Sequence, residues 1–202
     1  MTKKILILLF IFIPIKANAL IEVDITRGNL NPLPLAVSPL SIDEESRKGF
    51  EKILKKENIG SEISNIVENN LRTSGLFNPL DKKAFLQAPD IANLKPRFED
   101  WNLIKAQALI TGKVNYVDDK LRVEFRLWDV LAAKEMMALA FTTVPNNWRR
   151  VGHIISDKVY ERLTGEKGYF DTRIIYVSEE GPKTQRIKKL AIMDQDGANN
   201  KF

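Results

Sequence analysis

His153, Ser156 and Asp157 are the three side-chain types from which a hydrolase triad is built. Triad chemistry needs a base that takes a hydroxyl proton while a carboxylate orients that base from its far side. All three residues fall within about one helical turn, and side chains so spaced cannot line up as nucleophile, base and orienter. No G-x-S-x-G elbow occurs in the chain, which removes a common way of exposing such a serine. A histidine satisfied at a helix surface is the expectation, and no catalytic residue is assigned. His153 is also the one histidine among 202 residues, so a site built on several imidazoles is excluded. Cysteine is absent, which excludes disulfides, thiolate metal sites, a cysteine nucleophile and lipid attachment through an N-terminal cysteine.

Asp194-Gln195-Asp196-Gly197, followed by Asn199, has the residue types of a calcium loop. The glycine stands fourth instead of sixth and no terminal bidentate glutamate follows, so a hairpin turn at Asp196-Gly197 is the simpler expectation. Lys183, Arg186, Lys188 and Lys189 could meet phosphates, yet no aromatic side chains interleave them and no nucleic-acid motif accompanies them. They read as a solvated strand face; no nucleic-acid partner, cofactor or metal is expected. Trp101 and Trp148 lie on apolar helical faces and read as core. Trp128 lies on the polar side of its strand, where it packs either beneath a helix or against another domain.

The elements that would position these residues begin after an address. Lys3 and Lys4 precede an apolar run from Ile5 to Ile15 broken only by Pro14, and Ala17-Asn18-Ala19 then offers small residues at both positions a signal peptidase reads. As a helix the run spans roughly 16 Å, about half of a hydrocarbon core. A signal peptide over residues 1–19, cleaved after Ala19 and leaving no membrane insertion, is therefore expected. The formal net charge of +5 is inflated by this segment, because without it 28 basic residues stand against 26 acidic ones. Bulk charge names no polyanionic partner.

Past the address, Leu20, Ile21, Glu22, Val23, Asp24 and Ile25 alternate apolar and polar, as a half-buried strand or a segment able to add to a sheet edge does. Leu33 to Leu40 is a second extended stretch whose pairing Pro34 and Pro39 should limit. Ser41-Ile42-Asp43-Glu44 resembles a capping box opening a charged helix to about Lys56, with Phe50, Ile53 and Leu54 as a thin apolar face. Ile59, Ile63, Ile66, Val67 and Leu71 mark a better helix that Gly75 stops. Phe77 to Leu80 reads as extended, Ala88-Pro89 to Pro96 as loop, and Arg97 to Lys105 as a short helix burying Phe98, Trp101 and Ile104. Ala108–Val117, Leu121–Trp128 and Met136–Val144 form an antiparallel meander, its first turn at Asp118-Asp119. Trp148, Val151, Gly152, Ile155, Val159 and Leu163 stripe the longest helix, which Gly165 ends. From Asp171 the character turns to hairpins, with strands at Arg173–Ser178 and Ile187–Met193. The fold class is α/β, a mixed sheet with helices packed on one face.

Trp148-Arg149-Arg150-Val151-Gly152-His153, then Ser156-Asp157, Tyr160-Glu161, Leu163-Thr164-Gly165, Gly168-Tyr169-Phe170 and Thr172-Arg173-Ile174 resemble the TolB family where its N-terminal domain meets its β-propeller. Ser74-Gly75-Leu76-Phe77, Phe98-x-x-Trp101 and Ala108 to Val114 match in order, and Leu190 to Asn199 resembles the first propeller hairpin. The resemblance covers most of residues 60–202. The charged helix after Asp43 is longer than is usual in the family.

What the resemblance implies is a periplasmic, non-enzymatic adaptor of the Tol-Pal cell-envelope system, tied to outer-membrane integrity, cell division and protein import. The family's propeller docks the lipoprotein Pal, and its mature N-terminal peptide binds the C-terminal domain of TolA. Carried onto this chain, Leu20 to Ile25 is the TolA-binding segment. Residues 20–168 are the α/β domain, and 172–202 an incomplete first blade. Pal docking then requires a complete propeller, and a monomer is expected. The chain is either a fragment of a longer reading frame or has its remainder encoded separately. The competing reading is the N-terminal portion of a secreted propeller-containing hydrolase, whose chemistry would have to lie downstream.

Overall fold

The computed structural model describes Ile21 and residues 31–202, apart from the side chains of Ala92 and Leu94. Its centre is a six-stranded mixed sheet. β1 (Leu33–Val37) lies between β3 (Phe77–Pro79) and β4 (Ala108–Val117), parallel to both, and β2 (Ser41–Ile42) continues along the same edge of β4. β4, β5 (Lys120–Asp129) and β6 (Lys134–Thr143) form the antiparallel meander. Asp118 and Asp119 both take positive φ, 50° and 57°, the geometry a two-residue hairpin with the right twist demands.

β1 is internal despite Pro34. Pro34 sits where the ladder to β4 starts, one residue before the Leu35–Ala108 pair, and its carbonyl accepts from Gln107 N. A missing N–H is tolerated there. Pro39 marks the gap between β1 and β2.

α1 (Glu44–Leu54), α2 (Ile59–Thr73) and α5 (Trp148–Thr164) pack on one face of the sheet. Leu35, Val37, Ile110, Val114, Leu121, Val123, Phe125 and Leu127 meet Phe50, Ile63, Val67, Ile155 and Val159 in this main core. The expected capping box is not formed as read. Ser41 and Ile42 belong to β2, and Asp43 is the N-cap, its carboxylate accepting from Ser46 N at 2.7 Å. Ile53 is exposed, so the buried side of α1 is narrower than expected.

The opposite face holds a smaller core. Here α4 (Phe98–Leu103) seats Trp101 against Ala36, Leu109 and Val130. The segment expected as loop contains α3 (Pro89–Leu94), entered with proline at its first turn, where the missing N–H costs nothing. A separate two-stranded sheet, β7 (Arg173–Glu180) with β8 (Ile187–Asp194), follows α5.

Candidate functional site

α5 and α2 cross closely because α5 carries Gly152 at the contact. A Cβ there would lie 2.9 Å from Ile66 Cγ2. One turn along, two polar residues fill the crossing. Asn70 and Ser156 are both buried, and Asn70 Nδ2 donates to Ser156 Oγ at 2.9 Å while Ser156 donates to the Gly152 carbonyl.

His153 is therefore not at a helix surface, as its neighbours in sequence suggested. It is 3% exposed, with Nδ1 at 2.9 Å from Asn70 Nδ2. Its Nε2 makes no hydrogen bond and faces the Asp196 carboxylate at 3.7 Å. Burial holds its pKa below the ordinary 6.5, although Asp196 pulls the other way. Asn70 escaped notice in the sequence, where an asparagine on a helical stripe looks like an exposed residue.

Ser156 and Asp157 have duties of their own. Asp157 points away along α5 and accepts from Phe170 N and Asp171 N. Gly168 passes so near that a Cβ would meet Asp157 Cα at 2.4 Å. This fixes the turn out of α5 and inserts Phe170 into the main core. The three residue types of the apparent triad thus serve helix crossing, chain turn and seam separately.

Asp194 to Gly197 forms a tight turn that follows β8. Gly197 N donates to the Asp194 carbonyl at 2.9 Å, and the chain returns so that Lys201 pairs with Ile192. The turn lies against the start of α5. Arg149 pairs with Asp196, and Arg150 pairs with Asp171 at 3.1 Å, which raises the Arg150 pKa. The result is a cleft of about 420 Å³ between α5 and the hairpin, lined by Asn146, Arg149, His153, Asp171, Asp194 and Asn199 among others. His153, Asp194 and Asp196 bring one ligand atom each to within 4.8 Å of one another, the set among the described residues that could hold a cation.

The remaining candidates resolve simply. Arg186 and Lys188 pair with Glu179, and Lys189 with Glu180, as cross-strand ion pairs of the hairpin; Lys183 is exposed. Trp101 donates from Nε1 to Gln87 Oε1, and the Trp148 ring has Lys56 and Arg149 at 5.1 and 5.3 Å from its centre. Trp128 packs beneath a helix, edge-on to Phe98, and donates to Thr111 Oγ1 at 2.9 Å. Of the N-terminal peptide, Ile21 is half-buried against the main core. Leu20, Glu22, Val23, Asp24 and Ile25, like Ala17 and Ala19, lie outside the described residues. Among those described, no helix is long and apolar enough to cross a membrane.

Comparison with known proteins agrees with this architecture. Residues 21–136 match the family model of the TolB amino-terminal domain. Over 197 residues the chain is 85% identical to the Tol-Pal system protein TolB of Pelagibacter ubique (strain HTCC1062), covering 98% of this chain and 44% of that relative. The crystal structure of TolB from Acinetobacter baumannii superposes with a TM-score of 0.68 at 25% identity, covering 84% of this chain and 38% of that one. The chain thus spans less than half the length of the relatives it matches, and it belongs to the TolB family through its amino-terminal domain.

Proposed function

We propose that this chain is the α/β adaptor portion of a periplasmic Tol-Pal component, and that it acts by binding rather than by catalysis. The observation that carries the reading is 85% identity, along 98% of the chain, to a Tol-Pal system protein. In this reading residues 1–19 direct export and are cleaved after Ala19, releasing Leu20 as the new N-terminus. Leu20 to Ile25 then adds as a strand to the TolA C-terminal domain, main-chain bonds supplying affinity and Ile21, Val23 and Ile25 supplying register. The α/β domain (20–168) serves as scaffold. The β7–β8 hairpin begins a propeller blade, and Pal docking requires the complete propeller. Through these partners the protein contributes to outer-membrane integrity, division and protein import.

Titration of the TolA C-terminal domain with the chain, and with a variant lacking residues 20–25, tests the reading. Binding should vanish in the variant while its circular dichroism is unchanged. Equal affinities would sink the assignment of the peptide. N-terminal sequencing of periplasmic material should begin at Leu20.

A further inference from the structure

The cleft between α5 and the hairpin contains a buried polar atom without a partner. His153 Nε2 makes no hydrogen bond, although the ring is 3% exposed. A buried polar atom left unpaired is costly and calls for an explanation. It faces the Asp196 carboxylate at 3.7 Å, one ligand atom of Asp194 lies within 4.8 Å of both, and His153 and Asp194 line the open cleft.

We propose that His153, Asp194 and Asp196 form a binding site for a divalent transition-metal ion of the zinc class. One imidazole and two carboxylates make three protein ligands, leaving a position for water. The imidazole favours zinc, cobalt or nickel over calcium and magnesium, which take oxygen ligands. Bonds of about 2.0–2.2 Å place tetrahedral ligand atoms roughly 3.4 Å apart. The 3.7 Å between His153 Nε2 and Asp196 Oδ2 is a few tenths of an ångström wider, and the three ligand atoms together lie within 4.8 Å, so the carboxylates close in on the ion by rotation when it binds.

Asn70 is placed to orient the ring from behind. A metal-bound imidazole donates its other N–H to an acceptor that fixes the ring. Asn70 Nδ2 stands 2.9 Å from Nδ1, and the amide turns over on metal binding to present Oδ1 there. Ser156 then donates to that oxygen instead of to Gly152. Arg149 is the internal competitor, since it pairs with Asp196. Its side chain is about a quarter exposed and its Nε has no partner, so an incoming cation displaces it toward solvent. Because His153 lies on α5 while Asp194 ends β8 and Asp196 sits in the turn after it, the ion ties this end of the hairpin to the α/β domain.

The single histidine makes the test direct. Zinc is titrated into the untagged chain by calorimetry, with the one imidazole followed by NMR and Co2+ absorption reporting tetrahedral geometry. One-to-one binding that shifts the imidazole resonances is expected, with the thermal midpoint raised. His153→Gln and Asp194→Asn should each weaken binding at least tenfold. Arg149→Ala should tighten it by roughly two- to fivefold, the scale of a partly exposed ion pair. Asp194→Asn serves as the check should His153→Gln fail to fold, since Asp194 is only partly buried. Absence of stoichiometric binding would overturn the proposal. So would binding that leaves the imidazole unmoved, or calcium affinity equal to that for zinc and indifferent to His153→Gln.

Discussion

The meander and the β7–β8 hairpin are both rich in apolar residues yet end in opposite states. On β5, Leu121, Val123, Phe125 and Leu127 are fully buried beneath α5 and α2. On the hairpin, Ile175 and Leu190 are 65% and 69% exposed, and Ala191 is the one fully buried apolar side chain. Both regions have well-formed ladders with eight or more paired positions. The difference lies in the layer above. Strand pairing satisfies the backbone, but a covering layer is what removes apolar surface from water, at roughly 25 cal/mol per Å². The segments flanking the hairpin are anchored, Phe170 in the main core and Asp171 and Asp196 by ion pairs to α5, but a two-stranded sheet on its own is marginal.

Hydrogen exchange should expose this contrast most strongly. Amides in Leu109–Val117 and Leu121–Leu127 should exchange only through near-global opening, whereas those from Ile174 to Met193 should exchange at least about a hundredfold faster. Equal protection in a monomer would show that the hairpin is stabilised as a unit with the α/β domain. Paired truncations sharpen the same point. Phe125→Ala should cost about 3–5 kcal/mol in chemical denaturation, and Ile175→Ala should stay within about 0.5 kcal/mol. A large loss at Ile175 would mean that its face is covered.

The periodic parts of the fold were legible in the sequence because their burial is one-sided. The α2 stripe from Ile59 to Leu71, the α5 stripe from Trp148 to Leu163 and the alternation on β5 each follow a single covering layer. What was not legible depends on partners far away in sequence. Ser41-Ile42 has the composition of a cap, yet 71 residues on, Gly112 accepts from Ser41 Oγ and β4 draws the pair into the sheet. Pro89 signalled loop although it only opens a helix. His153 looked like a surface residue because neither Asn70, 83 positions earlier, nor Asp196 can be placed beside it by local pattern. Long-range polar contacts leave no periodicity to read.

The polar crossing beneath the hairpin gives a smaller effect. Asn70→Ala removes the group shared by His153 Nδ1 and Ser156 Oγ in a buried setting. The expected loss is about 1–3 kcal/mol, the scale for stranding a buried polar partner. Because α2 and α5 belong to the main core, thermal unfolding of the α/β domain should report it. A neutral result would mean that water replaces the amide without cost.

A further modest effect sits at the start of α1, far from the hairpin, and carries a pH signature. Asp43 caps the helix by accepting from Ser46 N, and it also accepts from Ser46 Oγ and from Asn115 Nδ2 at 2.8 Å. The Ser46 N–H, first among these, holds its pKa below the ordinary 3.8. A carboxylate whose folded pKa is depressed contributes stability that is present above the unfolded value and is lost as pH falls through the folded one. Asp43→Ala should therefore cost about 1 kcal/mol at neutral pH, as lost N-caps do. The gap between variant and parent should narrow as pH falls below about 3.8, because the protonated cap accepts more weakly. Asp43→Asn, which retains an acceptor but no charge, should recover much of the neutral-pH loss while showing less of the pH dependence. Denaturation midpoints for the three proteins at pH 7 and near pH 3 decide the matter. An Asp43→Ala gap of constant size across that range would show that the cap's charge plays no part, leaving its geometry as the whole contribution. Hairpin amides should exchange at unchanged rates in all three proteins, since α1 touches the sheet at β4 through Ser46 and Tyr116 and not at the hairpin.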